Sequence, residues 1–396
     1  MLLAGVALVT WEVTTSDDAP SRFEVAVPTA PARQVEPAGA ALALRDLERA
    51  VADGDADSAS DQAATADARE LLRALATNAA RARITDLSLR YVDELGAIAA
   101  DGTWSAAVVV EWRFAGFDPS TARTETEVRF AATDDRVRIA GIGGDTLRTP
   151  IWMTGPLTVS RTQQTLVLAA DPASLDRYAE LAARAVPVVG AVVADWDSRL
   201  VVEVPADQAA LERALDAEPG FYGQIAAVTG SADGSVAADA PVHVYVNPEV
   251  FDGLGPRGQE VVLDHETAHV AGDGPISRAP TWLVEGYADY VALRDSPLPL
   301  RVTAAQIRDR VQAEGPPASL PGPTDFDTRG PHLGAVYESA WLACRVLADR
   351  AGNDAFLRFY EAVSLGSPLP RELQRGFGWS QDDLVAAWQQ RLRSLP

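Results

Sequence analysis

The chain has 396 residues and a mass of 42.0 kDa, too long for one ordinary globular domain, so two or three domains are expected. A hydrophobic content of 47%, with 29 Gly and 26 Pro, is enough to build cores and excludes general disorder. The net charge of −22 would repel a phosphate backbone and argues against a nucleic-acid partner, and the single cysteine, Cys344, excludes an internal disulfide.

Residues 1–11 are apolar, but the run is too short to span a membrane and lacks the basic start of a signal peptide. It is either an ordinary buried segment or the end of an anchor that starts further upstream. A stretch rich in Pro, Ala and Val follows Ser16-Asp17-Asp18, so residues 1–36 read as a hydrophobic start and tether. A possible membrane anchor and an anchored or exported, extracytoplasmic location are expected from this, with a cytoplasmic chain as the alternative.

Helical spacing covers residues 40–51 and 65–79, with a turn at 53–57 between them. The period then changes to alternation at 83–94, 103–114, 124–131 and 136–142, the pattern of an antiparallel sheet with one buried face. Helices first and strands after them predict a small α+β domain over 37–150. With its late Trp112-Arg113-Phe114 strand, this order resembles the cone-like domains of the nuclear transport factor 2 superfamily.

Two prolines and a glycine at 149–156 predict a domain boundary. Beyond it come strand material at 157–169, an amphipathic helix at 172–185, a strand at 200–204, a helix at 207–217 and a strand at 242–246. Strands and helices therefore mix, and the fold class is α+β throughout.

Residues 262–270 read V-L-D-H-E-T-A-H-V. On a helix, His265 and His269 stand one turn apart on one face, so both imidazoles can reach one zinc ion. Glu266 is offset by one position, where it can take a proton from bound water without ligating the metal. With only 4 histidines in the chain, a chance match to H-E-x-x-H is on the order of 1 in 500 or rarer. Catalytic zinc sites use three protein ligands. The next helical segment, opened by Pro280, offers Glu285 as the third, across the breaker Gly272-Asp273-Gly274-Pro275. Asp289, one helical turn after Glu285, is placed to accept the other ring N–H of a zinc-bound histidine. Gly286 leaves room for close helix packing.

His265-Glu266-x-x-His269 followed by Trp282-Leu283-x-Glu285-Gly286-x-Ala288-Asp289-Tyr290 resembles the gluzincin peptidases of the MA clan, in the group related to the aminopeptidase N and thermolysin families. The resemblance spans roughly 157–396. It implies a zinc peptidase acting on a peptide or protein substrate. It also implies a sheet-bearing upper subdomain (157–271) that ends in the H-E-x-x-H helix, and a mostly helical lower subdomain (272–396). The family's oxyanion-stabilising tyrosine maps onto Tyr337 in Val336-Tyr337-Glu338, and His332 could instead play the part that a histidine plays in thermolysin-like enzymes. The resemblance also assigns the strand at 242–247, with Val244, Tyr245 and Val246, as the edge that pairs with the substrate backbone. The Gly-x-Met-x-Asn segment of the aminopeptidases has no counterpart before His265, so an aminopeptidase is not expected. The alternative function is a zincin-like binding or scaffold protein without catalysis.

Overall fold

The computed structural model describes residues 35–133 and 136–396, so the expectations for the hydrophobic start and most of the tether lie outside the described residues. The first layer begins with helices α1 (Pro37–Ala52), α2 (Ala56–Ser60) and α3 (Ala66–Ala82). Asp55 starts α2 by accepting the amides of Asp57 and Ser58, so the stretch read as a plain turn also caps a short helix. Thr65 caps α3 on the amide of Ala68. Strands β1 (Ile84–Leu95), β2 (Thr103–Phe114), β3 (Ala122–Ala132) and β4 (Val137–Ile142) form an antiparallel meander in the order β1-β2-β3-β4. The alternation seen in the sequence has its cause here. Thr124, Thr126, Val128 and Phe130 of β3 are buried, while the residues between them are more exposed.

The 149–156 segment carries the turn residues of a connection, yet Ile151, Trp152 and Met153 are each 1% exposed. Asn78 on α3 holds it down. Its Nδ2 donates to the carbonyls of Trp152 (3.0 Å) and Gly155 (2.7 Å), and its Oδ1 accepts from the Leu157 amide (3.0 Å). The core of the first layer runs on through these residues to Leu166, Leu168, Leu211 and Tyr245.

The second layer comprises β5 (Thr158–Arg161), β6 (Thr165–Ala169), α4 (Leu175–Gly190), β7 (Leu200–Val204), α5 (Gln208–Leu215), β8 (Ala227–Ser231), β9 (Val242–Val246), α6 (Pro248–Phe251) and α7 (Pro256–Ala271). Its strand order is β5-β6-β7-β9-β8, with β6, β7 and β9 parallel and β8 antiparallel to β9. The expected edge strand is therefore corrected. The 242–246 strand is paired on both sides, and Val244, Tyr245 and Val246 are 0%, 3% and 0% exposed. Its near-continuous apolar run is that of a strand buried on both faces. The edge is β8.

His243 on β9 joins the two layers. Its Nδ1 lies 2.7 Å from Glu203 on β7, and its Nε2 lies 3.0 Å from Asp118 in the β2–β3 connection. The Asp118 carboxylate also accepts the Phe114 amide at 2.7 Å. Burial works against charge on this imidazole, but the two carboxylates outweigh it and push its pKa up to about 10.

The remainder is helical: α8 (Thr281–Leu293), α9 (Leu300–Thr303), α10 (Ala305–Glu314), α11 (Leu333–Ala351), α12 (Asn353–Ser364), α13 (Leu369–Phe377) and α14 (Gln381–Arg393). Together the layers make the α+β architecture that the sequence pattern implies. Ser380 caps α14 reciprocally with Asp383. Leu384, Trp388 and Leu392 of α14 bury against α11, where the Trp388 indole N–H donates to the Ser339 carbonyl at 3.0 Å. No helix of the described residues is long and apolar enough to cross a membrane.

Candidate metal centre

Helix α7 carries His265, Glu266 and His269, and Leu263 and Ala268 on the same helix are wholly buried. Helix α8 packs across it and carries Glu285 and Asp289. What allows the approach of α8 to α11 is Gly286. A Cβ at this position would fall 2.5 Å from the Ala340 carbonyl oxygen and 2.7 Å from Cys344 Sγ. The Gly274 loop closes on the other side, where a Cβ would come within 2.8 Å of His269 Nδ1.

The Nε2 atoms of His265 and His269 are 3.0 Å apart, and Glu285 Oε2 lies 3.4 Å from each. These three residues form a group whose ligand atoms all lie within 4.8 Å of one another. A tetrahedral zinc ion with bonds of about 2.0–2.1 Å spaces its ligand atoms about 3.3 Å apart, so the triangle has the size such an ion requires. His265 Nδ1 lies 2.8 Å from Asp289 Oδ1. That hydrogen bond places a proton on Nδ1 and turns Nε2 toward the triangle, where a metal ion would take the place of a second proton.

The electrostatics point the same way. Burial opposes charge on His265, yet Asp289, Glu285 and Glu266 outweigh it and hold its pKa well above the ordinary value. Burial alone would raise the Glu285 carboxyl, but the two imidazoles pull it well below the usual carboxylate range. Burial and the carboxylates of Glu285, Glu266 and Asp289 push the Tyr337 hydroxyl up. The centre thus favours positive charge and keeps the phenol protonated.

Around the triangle lies a cleft of about 300 Å³. Glu266 and Tyr337 both line it, with Phe221, Tyr222, Ile225 and Val228 on the sheet side and Pro275 and Val284 on the helical side. The Tyr337 ring stands 6.0 Å from that of His265 at 66°, and Phe326 packs edge-on against it at 5.3 Å. His332 is not brought in. It is an exposed residue at the N-cap of α11, with a left-handed backbone (φ 70), and it is absent from the cleft lining. Of these two residues, Tyr337 lines the cleft and His332 does not.

Sequence reasoning missed β8. Asn247 donates its amide to the Ala226 carbonyl, and Ala232 donates its amide to the Pro241 carbonyl. By antiparallel alternation, the backbone groups of Ala227 and Thr229 point away from β9, along the cleft that both residues line. Thr229 also meets Glu266. Its hydroxyl lies 2.7 Å from Glu266 Oε2 and 2.9 Å from the Glu266 carbonyl oxygen.

No protein-family model matches the chain, and no curated protein matches it. Among solved structures, the chain is similar to an M1 zinc metallopeptidase mutant from Deinococcus radiodurans, at 15% identity and a TM-score of 0.37, over 80% of this chain and 63% of that one. The same protein bound to a Tyr-Ser-Ala substrate matches at 15% identity and a TM-score of 0.38, over the same shares of the two chains. A two-domain M1 zinc metallopeptidase bound to L-arginine matches at 15% identity and a TM-score of 0.34, over 67% of this chain and 60% of that one. The chain spans 60% to 63% of the length of these structures.

Proposed function

We propose that the chain is a zinc-dependent peptidase whose centre is His265, His269 and Glu285, with Glu266 as general base. The observation that carries this reading is the ligand triangle of 3.0–3.4 Å edges with Glu266 beside it at the cleft. Zinc held there would act as a Lewis acid, lowering the pKa of a water to about 7 and polarising a carbonyl. Glu266 would take the water's proton and pass it to the leaving amine. Tyr337, kept protonated by its surroundings, would donate to the oxygen on which charge develops. The outward backbone groups of Ala227 and Thr229 would pair with an extended peptide as an added strand. Asp289 would hold His265 in its ligating tautomer.

The test is Glu266→Gln, which removes the proton acceptor and no ligand. Bound zinc should stay at one per chain, while turnover of a peptide found by library digestion should fall toward the upper end of the range of about 10²–10⁴-fold. Undiminished cleavage by the variant would end the general-base assignment. A zinc-loaded parent that cleaves nothing in a broad library would favour a binding or scaffold protein.

A further inference from the structure

We infer that Thr229, on the edge strand β8, is a positioning residue that fixes the carboxylate of Glu266 for proton transfer. The inference rests on the peptidase reading of this site and adds a residue to it.

A glutamate side chain has three rotatable bonds, and a general base has to present one oxygen to one place. Glu266 is 7% exposed and borders the cleft, and Thr229 lines the same cleft from the sheet side. The Thr229 hydroxyl sits between two oxygens of the same residue, 2.7 Å from Oε2 and 2.9 Å from the main-chain carbonyl. A hydroxyl has one proton to give, and the charged oxygen makes the stronger acceptor. The donor is itself held. Thr229 is β-branched and therefore stiff at χ1, and its strand is paired with β9 through Val244. With Oε2 tied to the strand, Oε1 is the oxygen left to take a proton. The same contact links the edge strand to α7 directly beside the ligand His265.

Thr229→Val keeps the shape, suits a strand and removes only the hydroxyl. A misplacement of about 1 Å in a reacting group can cost on the order of 10²-fold, so kcat should fall about 10–100-fold. KM should stay within about twofold and zinc at one per chain, because the near-isosteric change keeps the shape of the cleft wall and the strand backbone and touches no proposed ligand. Thr229→Ser restores the hydroxyl and should return most of the lost kcat. In a Glu266→Gln background, Thr229→Val should have no further effect on turnover, since the two side chains act as one unit. Crystal structures of the zinc-loaded parent and Thr229→Val should show the Glu266 carboxylate leaving its position in the variant. Unchanged kcat in Thr229→Val, or a loss that Thr229→Ser does not repair, overturns the inference. A parent that cleaves no peptide would sink the peptidase reading instead. The crystal structures then decide alone, and a Glu266 carboxylate still in place in Thr229→Val refutes the positioning role.

Discussion

Gly286→Ala tests whether the centre depends on the contact between α8 and α11. The new Cβ would sit 2.5 Å from the Ala340 carbonyl oxygen, 2.7 Å from the Ala340 carbonyl carbon and 2.7 Å from Cys344 Sγ. Two of these atoms are backbone inside a long helix, so no side-chain rotation relieves them, and α8 has to move away by about 1 Å to reach ordinary van der Waals contact. Overpacking of this kind costs about 1–3 kcal/mol, and a contact with backbone belongs near the top of that range. Alanine returns about 1 kcal/mol of helix propensity relative to glycine, which leaves a net loss of about 2 kcal/mol. Glu285 precedes the substituted position, so it should withdraw from the two imidazoles, with a drop in zinc affinity on the order of 10-fold. Guanidinium unfolding of metal-free and zinc-loaded protein, with zinc affinity from a competing chelator, measures both effects. Adding Cys344→Ala removes the sulfur contact and should recover only part of the stability, because the carbonyl remains. Parent-like stability and zinc affinity in Gly286→Ala would show that α8 is not seated by this contact.

Asp289→Asn should keep the fold and weaken zinc binding about 10–100-fold, measured by chelator competition, because the charged acceptor of the His265 N–H is lost. The buried His243 makes stability depend on pH. Its folded pKa, pushed up to about 10 by Asp118 and Glu203 against the effect of burial, lies above the unfolded value of about 6.5. The stabilisation is therefore complete below about pH 6.5 and is lost as pH rises through about 10. Thermal unfolding of the parent should show this decline, and His243→Gln should be less stable at neutral pH and flatter across the same window; a parent curve that is level from pH 6.5 to 10 would contradict the assignment.

The legible parts of this protein are those set by local spacing. His265 and His269 are four apart, as are Glu285 and Asp289, and helical geometry brings each pair to one face without knowledge of the rest of the chain. Whether the two pairs meet is a matter of packing, yet Gly286 and the breaker at 272–275 carried a signal for it. Strand order carried almost none. Strand β9 follows β8 in the chain but lies between β8 and β7, and pairing between strands distant in sequence leaves no local mark. A usable sign existed in V-H-V-Y-V, whose apolar run fits a central strand better than an edge. The true edge, Ala227–Ser231, reads A-V-T-G-S, too short and too polar to stand out. His332, offered only by the likeness to thermolysin-like enzymes, is an exposed N-cap residue of α11, and no local pattern in the sequence marks that placement. Trp152 shows the same difficulty at a connection: proline and glycine mark a turn, but the apolar residues between them were the better guide to its burial.

The arrangement concentrates its dependence on one helix. Glu285, Gly286 and Asp289 lie within about one turn of α8: Glu285 meets the two Nε2 atoms, Asp289 meets His265 Nδ1, and Gly286 packs on the Ala340 backbone. The setting of α8 therefore places both carboxylates against the imidazoles at once, and Gly286 allows its close approach to α11. Helix α11 enforces that setting through Ala340 and also carries Tyr337, seven residues before Cys344, toward the cleft. The proposed ligand Glu285 and the oxyanion candidate are therefore coupled through a single helix–helix contact, while Glu266 is coupled to the sheet through Thr229. The proposed base takes its position from the edge strand and the proposed oxyanion donor from the helical bundle. A disturbance of the α8–α11 contact should thus weaken metal binding and Tyr337 placement together and leave the Thr229–Glu266 pair intact.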